Sequence, residues 1–142
     1  MRARTAALLL LCLIAVRMTA APKVFDIRLE QLPDTGFEMH KRGAISIAYQ
    51  MTVRNLSDAP LKLKGIRMRT VGRSPYQLLN EPAELTDSVE AGKEATVVFT
   101  LWRAESDSKQ TRHATVWVEG TLSYETSSGA ATQKFSTSFK EP

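Results

Sequence analysis

Apolar and polar residues alternate along most of this chain. Phe25, Ile27 and Leu29 share one side of the stretch from Val24 to Leu29. Ile45, Ile47, Tyr49, Met51 and Val53 form a five-member stripe, the strongest periodic signal present. A period of two places every second side chain on one face of an extended strand, so each stripe predicts a strand with one buried face. Leu61 and Leu63 open a third stripe, which resumes one residue out of phase as Ile66, Met68 and Thr70 after Gly65. A phase change at a glycine predicts a β-bulge. Ala95, Val97, Phe99 and Leu101 make a fourth stripe. Ala114, Val116, Val118, Leu122 and Tyr124 make a fifth, with Gly120 inside it, and Phe135, Thr137 and Phe139 a sixth.

Turn residues separate these runs: Pro33-Asp34-Thr35-Gly36, Asn55 to Pro60, Ser74-Pro75, Glu81-Pro82, Ala91-Gly92 and Ser127-Ser128-Gly129. Proline fixes φ and lacks a donor, glycine admits positive φ, and Asn, Asp and Ser side chains bond nearby backbone. No stretch has helical periodicity. Tyr76 to Leu85 fits either a short helical turn or an irregular edge strand. About seven short alternating strands predict an all-β fold, an immunoglobulin-like β-sandwich. The last two strands pair apolar with apolar if Glu125 faces Thr132, which sets Leu122 against Phe135 and Val118 against Phe139. A slip of two residues would preserve that parity, whereas a slip of one would not.

The first residues have another purpose. Met1-Arg2-Ala3-Arg4 is a positive start, Thr5 to Val16 is apolar, and Thr19-Ala20-Ala21 offers small residues to a signal peptidase. This predicts a signal peptide over 1–21 and a single β-sandwich domain over 22–142. The apolar run is shorter than the roughly 20 residues a membrane-spanning helix needs. No transmembrane span is expected in the mature chain. Cleavage would remove Cys12, the one cysteine, so the domain would rest on its core without a disulfide. It would also remove Arg2, Arg4 and Arg17, leaving 16 basic residues against 15 acidic ones. That near balance excludes the electrostatic footprint of a nucleic-acid binder. The expected location is exported, periplasmic or secreted, with a bacterial envelope favoured by the short Arg-rich leader.

Candidate chemistry is sparse. His40 and His113 lie 73 positions apart, and neither sits in a metal-ligand spacing. Met51 and Met68 fall on apolar stripes and are read as core rather than as soft ligands beside Met39. No serine has a G-x-S-x-G setting, and no acid pair suggests glycosidic chemistry. The expectation is therefore a non-enzyme without catalytic residues, metal or other cofactor. Asn55-Leu56-Ser57 matches a glycosylation acceptor, but Asn55 is read as a turn residue.

Two candidate contact surfaces remain. Lys62, Lys64, Arg67 and Arg69 share the outward side of one strand if Gly65 resets the phase. Such a row meets anionic lipid, polysaccharide or an acidic partner, or else is a solvated face or a guarded edge strand. Trp102 and Trp117 are off-face from their apolar neighbours and predicted to point outward. If the strands 95–102 and 113–125 pair directly, the tryptophans form one aromatic patch with Val98; if the loop Arg103 to Arg112 crosses between sheets, they separate.

The run from Met51 to Gly65, with Asn55, then Pro60-Leu61, then Gly65, resembles the corresponding strand–turn–strand segment of LEA2/WHy domains. Val89-Glu90-Ala91-Gly92, Val118-Glu119-Gly120-Thr121-Leu122 and a closing strand ending at Phe139 fit as well. The family usually carries Asn-Pro in the turn, where this chain has Asn55-Leu56. The resemblance implies an immunoglobulin- or fibronectin-like sandwich linked to desiccation and stress tolerance, and no catalytic residues. The functional expectation is an exported protein-interaction or envelope-protective module whose partner is an envelope or extracellular protein or glycan. The alternative is a periplasmic ligand carrier or carbohydrate-binding module.

Overall fold

A computed structural model describes residues 22–33, 45–104 and 114–142. The segment 1–21 where a signal peptide is expected, with Cys12, and His40, His113 and most of the loop from Arg103 to Arg112 lie outside the described residues. Eight strands follow in order: β1 (Phe25–Gln31), β2 (Ile45–Asn55), β3 (Leu61–Thr70), β4 (Ala83–Glu84), β5 (Ser88–Val89), β6 (Glu94–Arg103), β7 (Thr115–Thr126) and β8 (Gly129–Lys140). The first sheet has the order β1-β2-β6. The second has the order β4-β3-β7-β8, with β5 also on β3, and every pairing in both sheets is antiparallel. The result is an all-β sandwich, as the alternation predicts. No helix occurs among the described residues.

The predicted stripes are the inner faces. Ile47, Tyr49, Met51 and Val53 of β2 are buried, as are Val97, Phe99 and Leu101 of β6. Leu63, Ile66 and Met68 of β3 and Val116, Val118 and Leu122 of β7 close on them from the second sheet. Aromatic rings cross the interface: Phe25 meets Tyr124 edge-on at 5.0 Å, and Tyr49 meets Phe139 edge-on at 5.7 Å. Such pairs prefer the edge-to-face geometry because the ring edge is positive and the face negative.

The bulge lies where the phase change places it. Leu63 pairs with Tyr124 and Gly65 with Ser123, so Lys64 is the extra residue. This keeps Lys62, Lys64, Arg67 and Arg69 all exposed on either side of the bulge. Tyr76 to Leu85 resolves as an irregular edge. Leu78 bridges to Arg103 of β6, while Ala83–Glu84 joins β3.

The last hairpin differs by two residues from the register that apolar matching suggests. Thr126 pairs with Gly129 across a two-residue loop, Ser127-Ser128, and Gly120 comes opposite Phe135. Parity is kept, so the apolar set stays inside. Two local features select this register. Gly129 has φ +126°, a conformation most residues avoid. In addition, the Phe135 ring occupies the space a side chain on Gly120 would fill: a Cβ there would lie 2.4 Å from the ring. An aromatic lying over a strand glycine restores packing that the glycine lacks.

The turn after β2 is organised by Asn55, which is fully buried. Its Nδ2 donates to the carbonyls of Ala59 (2.8 Å) and Val89 (2.9 Å), and its Oδ1 accepts from the Ser57 N–H and hydroxyl. Both amide hydrogens are thus occupied, and the nitrogen has no access to a glycan. The turn reading of Asn55 is the one the fold supports. Its bond to Val89 also ties the first sheet to the second.

Candidate functional site

The outer face of the second sheet gathers most of the candidate residues. Lys62, Lys64, Arg67 and Arg69 stand along β3, and Trp117, Glu119 and Glu125 along β7. Lys134 and Lys140 stand along β8. Because β3 has neighbours on both sides, its basic row crosses the middle of a sheet rather than guarding an edge. The first sheet presents a more balanced outer face, with Arg28 and Arg54 among Asp26, Glu30 and Glu94.

Register decides which cations are neutralised. Lys64 Nζ lies 2.7 Å from Glu125, and Arg69 lies 2.7 Å from Glu119. The Glu125 carboxyl is held below its ordinary range, first by the hydrogen bond and charge of Lys64 and to a smaller extent by the charge of Lys62. Arg67 pairs across the sheet with Thr121, and Thr121 with Lys134, so a hydroxyl rather than a carboxylate separates these two cations. Neither Arg67 nor Lys134 has an ion-pair partner among the described residues. At about 4.8 Å per strand their backbones stand about 10 Å apart. A hollow of about 560 Å³ spans this row, lined by Arg67, Asn80, Thr121, Lys134, Phe135 and Ser136. That volume lies within the usual range for small-ligand sites.

The two tryptophans separate. Trp117 is 53% exposed on the outer face of β7, in line with Glu119 and next to Ser138 of β8. Trp102 belongs to β6 in the other sheet, opposite Ser46, and is half-buried, with its carbonyl accepting from Leu79 N–H. Val98, 59% exposed, lies on that other sheet as well. The direct pairing of the strands 95–102 and 113–125 does not occur, and the layout that separates the tryptophans does. Trp117 therefore joins the basic row, and Trp102 does not.

A second polar cluster lies inside the sandwich. Tyr76 donates to Gln31 Oε1 at 2.9 Å, so the 2.8 Å contact between the two phenols has Tyr49 donating to Tyr76. Burial pushes the Tyr49 phenol far up, and Tyr76 pushes it further. Tyr49 thus remains a neutral hydroxyl and an ordering group rather than a base. The Arg103 guanidinium sits 5.5 Å from the Tyr76 ring centroid. Alternation alone could not reveal this cluster, since Tyr49 reads as one more apolar position. Lys134 and Lys140 were equally missed as contact residues. The available signal was their alternation with Gln133, Phe135 and Phe139, which puts them on the same face as the basic row once β8 is paired.

No family model matches the chain, and no curated protein does. Solved structures do resemble it. A crystal structure of a protein from Archaeoglobus fulgidus matches with a TM-score of 0.52 at 12% identity, covering 81% of this chain and 93% of that one. The X-ray structure of Northeast Structural Genomics Consortium target SoR45 matches with a TM-score of 0.49 at 12% identity, over 87% and 91%. A FixG-related protein from Vibrio parahaemolyticus gives 0.44 at 12% identity, over 84% and 98%. The first of these likenesses is one of fold.

Proposed function

We propose that this protein is an exported, non-enzymatic binding module that meets an acidic protein partner through the outer face of its second sheet. One observation carries the reading: Arg67 and Lys134 are exposed cations without carboxylate partners among the described residues, on the same face as exposed Trp117. An interface core uses aromatic and Arg anchors, while opposite charge steers encounter and fixes register. The leader-like start of the chain supports export, and the LEA2/WHy-like segment from Met51 to Gly65 supports a role in envelope protection. The alternative, a carbohydrate-binding module, draws on the hollow beside Arg67, where Asn80, Thr121 and Ser136 offer amide and hydroxyl groups to an acidic sugar.

Retention on immobilised polyglutamate and on heparin tests the two readings together. The protein reading expects salt-dependent retention on polyglutamate that the pair Arg67→Glu and Lys134→Glu abolishes, accompanied by a change in Trp117 fluorescence. The glycan reading expects heparin alone to retain the protein. Equal retention of the charge-reversed variant on polyglutamate would count against the outer face as the contact surface.

A further inference from the structure

We propose that the free edge of β8 takes up an extended segment of an acidic polypeptide as an added strand, whose apolar side chains enter a hollow between β1 and β8. This rests on the acidic-partner reading of the outer face and specifies how the partner is held.

The first observation is backbone direction. Val71 N–H donates to the Trp117 carbonyl at 2.9 Å. Trp117 therefore turns its main-chain groups toward β3. In an antiparallel ladder its partner on the other side, Ser138, turns its N–H and C=O away from β7. Alternation gives Lys134, Ser136 and Lys140 the same direction. β8 ends the strand order of its sheet, and these groups have no backbone partner among the described residues. The strand is 12 residues long, and neither a proline nor a bulge interrupts it. Unpaired groups of this kind are a template for strand addition.

The second observation is the space beside that edge. A hollow of about 770 Å³ lies between the sheets, lined by Val24 and Ile27 from the β1 side and by Phe135 and Thr137 from β8, with Lys23 and Lys134 also in its wall. Ile27 and Phe135 pack on the core yet are only partly buried. An added strand would alternate, with one set of side chains toward this hollow and the other toward the outer face. There its neighbours on β8 would be Lys134 and Lys140. The occupant that fits both faces has an apolar residue at every second position and acids between them. The same two lysines repel a second copy of β8, because its own lysines would come alongside.

The test uses an end-blocked peptide of about ten residues alternating valine with glutamate, about the length needed to span β8. Controls are a scrambled peptide of the same composition and one with lysine in place of glutamate. Amide hydrogen exchange of the protein is followed with each. The expected result is about tenfold or greater slowing at Lys134, Ser136 and Ser138 with the alternating acidic peptide only. Ser136→Pro, which removes an edge donor but no ladder bond, should abolish that protection. If this variant does not fold, the exchange pattern of the unaltered protein still decides the matter. Equal binding of alternating and scrambled acidic peptides without edge protection would overturn strand addition and leave the outer-face reading standing. No binding of either peptide, together with no retention on polyglutamate, would overturn both. Protection that appears without peptide and grows with protein concentration would make the occupant a second copy and overturn the acidic-partner proposal.

Discussion

The two long sides of the sandwich are closed by different means. On one side the main chain itself crosses between sheets. The Leu79 N–H donates to the Trp102 carbonyl and the Ala104 N–H to the Gln77 carbonyl, while Ala83–Glu84 of the same segment pairs with β3. Tyr76 then reaches inward to Tyr49 and Gln31. On the other side, at the start of β1, the connection runs through a side chain. Gln133 of β8 accepts from the Val24 and Phe25 N–H groups through Oε1 and donates to the Phe25 carbonyl through Nε2. Its amide imitates a short piece of strand edge and seals the start of β1. Beyond it the sheets part around the hollow. A seam of backbone and a side-chain amide clamp should differ in stability, and the clamped side is the one that offers an unpaired edge.

The largest effect should come from breaking the seam. Tyr76→Ala removes a large buried ring and the phenol contacts to Tyr49 and Gln31, and a loss of about 3–5 kcal/mol is expected in urea unfolding. Tyr76→Phe keeps the ring and leaves Gln31 Oε1 short of a donor, for a smaller loss of about 1–2 kcal/mol. A comparable loss for both variants would mean that the hydroxyl network, rather than the packed ring, holds this side.

Next comes the packing on the clamped side. Gly120→Ala would place its Cβ 2.4 Å from Phe135 Cζ and 2.8 Å from the Arg67 carbonyl oxygen. Overpacking of this kind costs about 1–3 kcal/mol. Adding Phe135→Ala should recover the part due to the ring and not the part due to the carbonyl, which a double-mutant cycle resolves. Gln133→Ala should follow at about 1–2 kcal/mol. Its exchange signature is more telling than its stability: amides at Val24 and Phe25 should lose protection while those of β6 keep theirs. Uniform loss across both sheets would show the two sides to be one cooperative unit.

Much of this arrangement was legible from the residues, and the limit is physical. Burial on one face enforces a period of two, so the stripes at Ile47–Val53 and Val97–Leu101 had to face inward. Gly65 announced its bulge because the phase visibly changes there. The β7–β8 register was not legible to better than two residues, because any even shift keeps the apolar set inside. Only the loop geometry at Gly129 and the fit of Phe135 over Gly120 choose between such registers, and both depend on three-dimensional shape. The basic row on β3 was likewise visible as a pattern. Which of its members are neutralised was not, since Glu119 and Glu125 lie about 50 to 60 positions further along the chain and meet β3 only through sheet register.

That distinction between paired and unpaired cations gives the finest test. Lys64 holds the Glu125 carboxyl below its ordinary range. A carboxylate whose pKa is lower folded than unfolded stabilises the fold above the unfolded value, about 4.3 for glutamate. That contribution is lost as the pH falls through the folded value. Lys64→Met should therefore raise the Glu125 pKa toward the ordinary value, with Lys62 keeping it from returning fully. NMR titration of the Glu125 side chain reads this directly. At neutral pH the urea midpoint should barely move, because exposed ion pairs contribute little. Added salt should shrink the difference between variant and parent, since screening weakens the Lys64 charge. An unchanged Glu125 titration in the variant would mean that Lys64 is no more committed to a carboxylate than Arg67 and Lys134 are, and the whole basic row would then count as available to a partner.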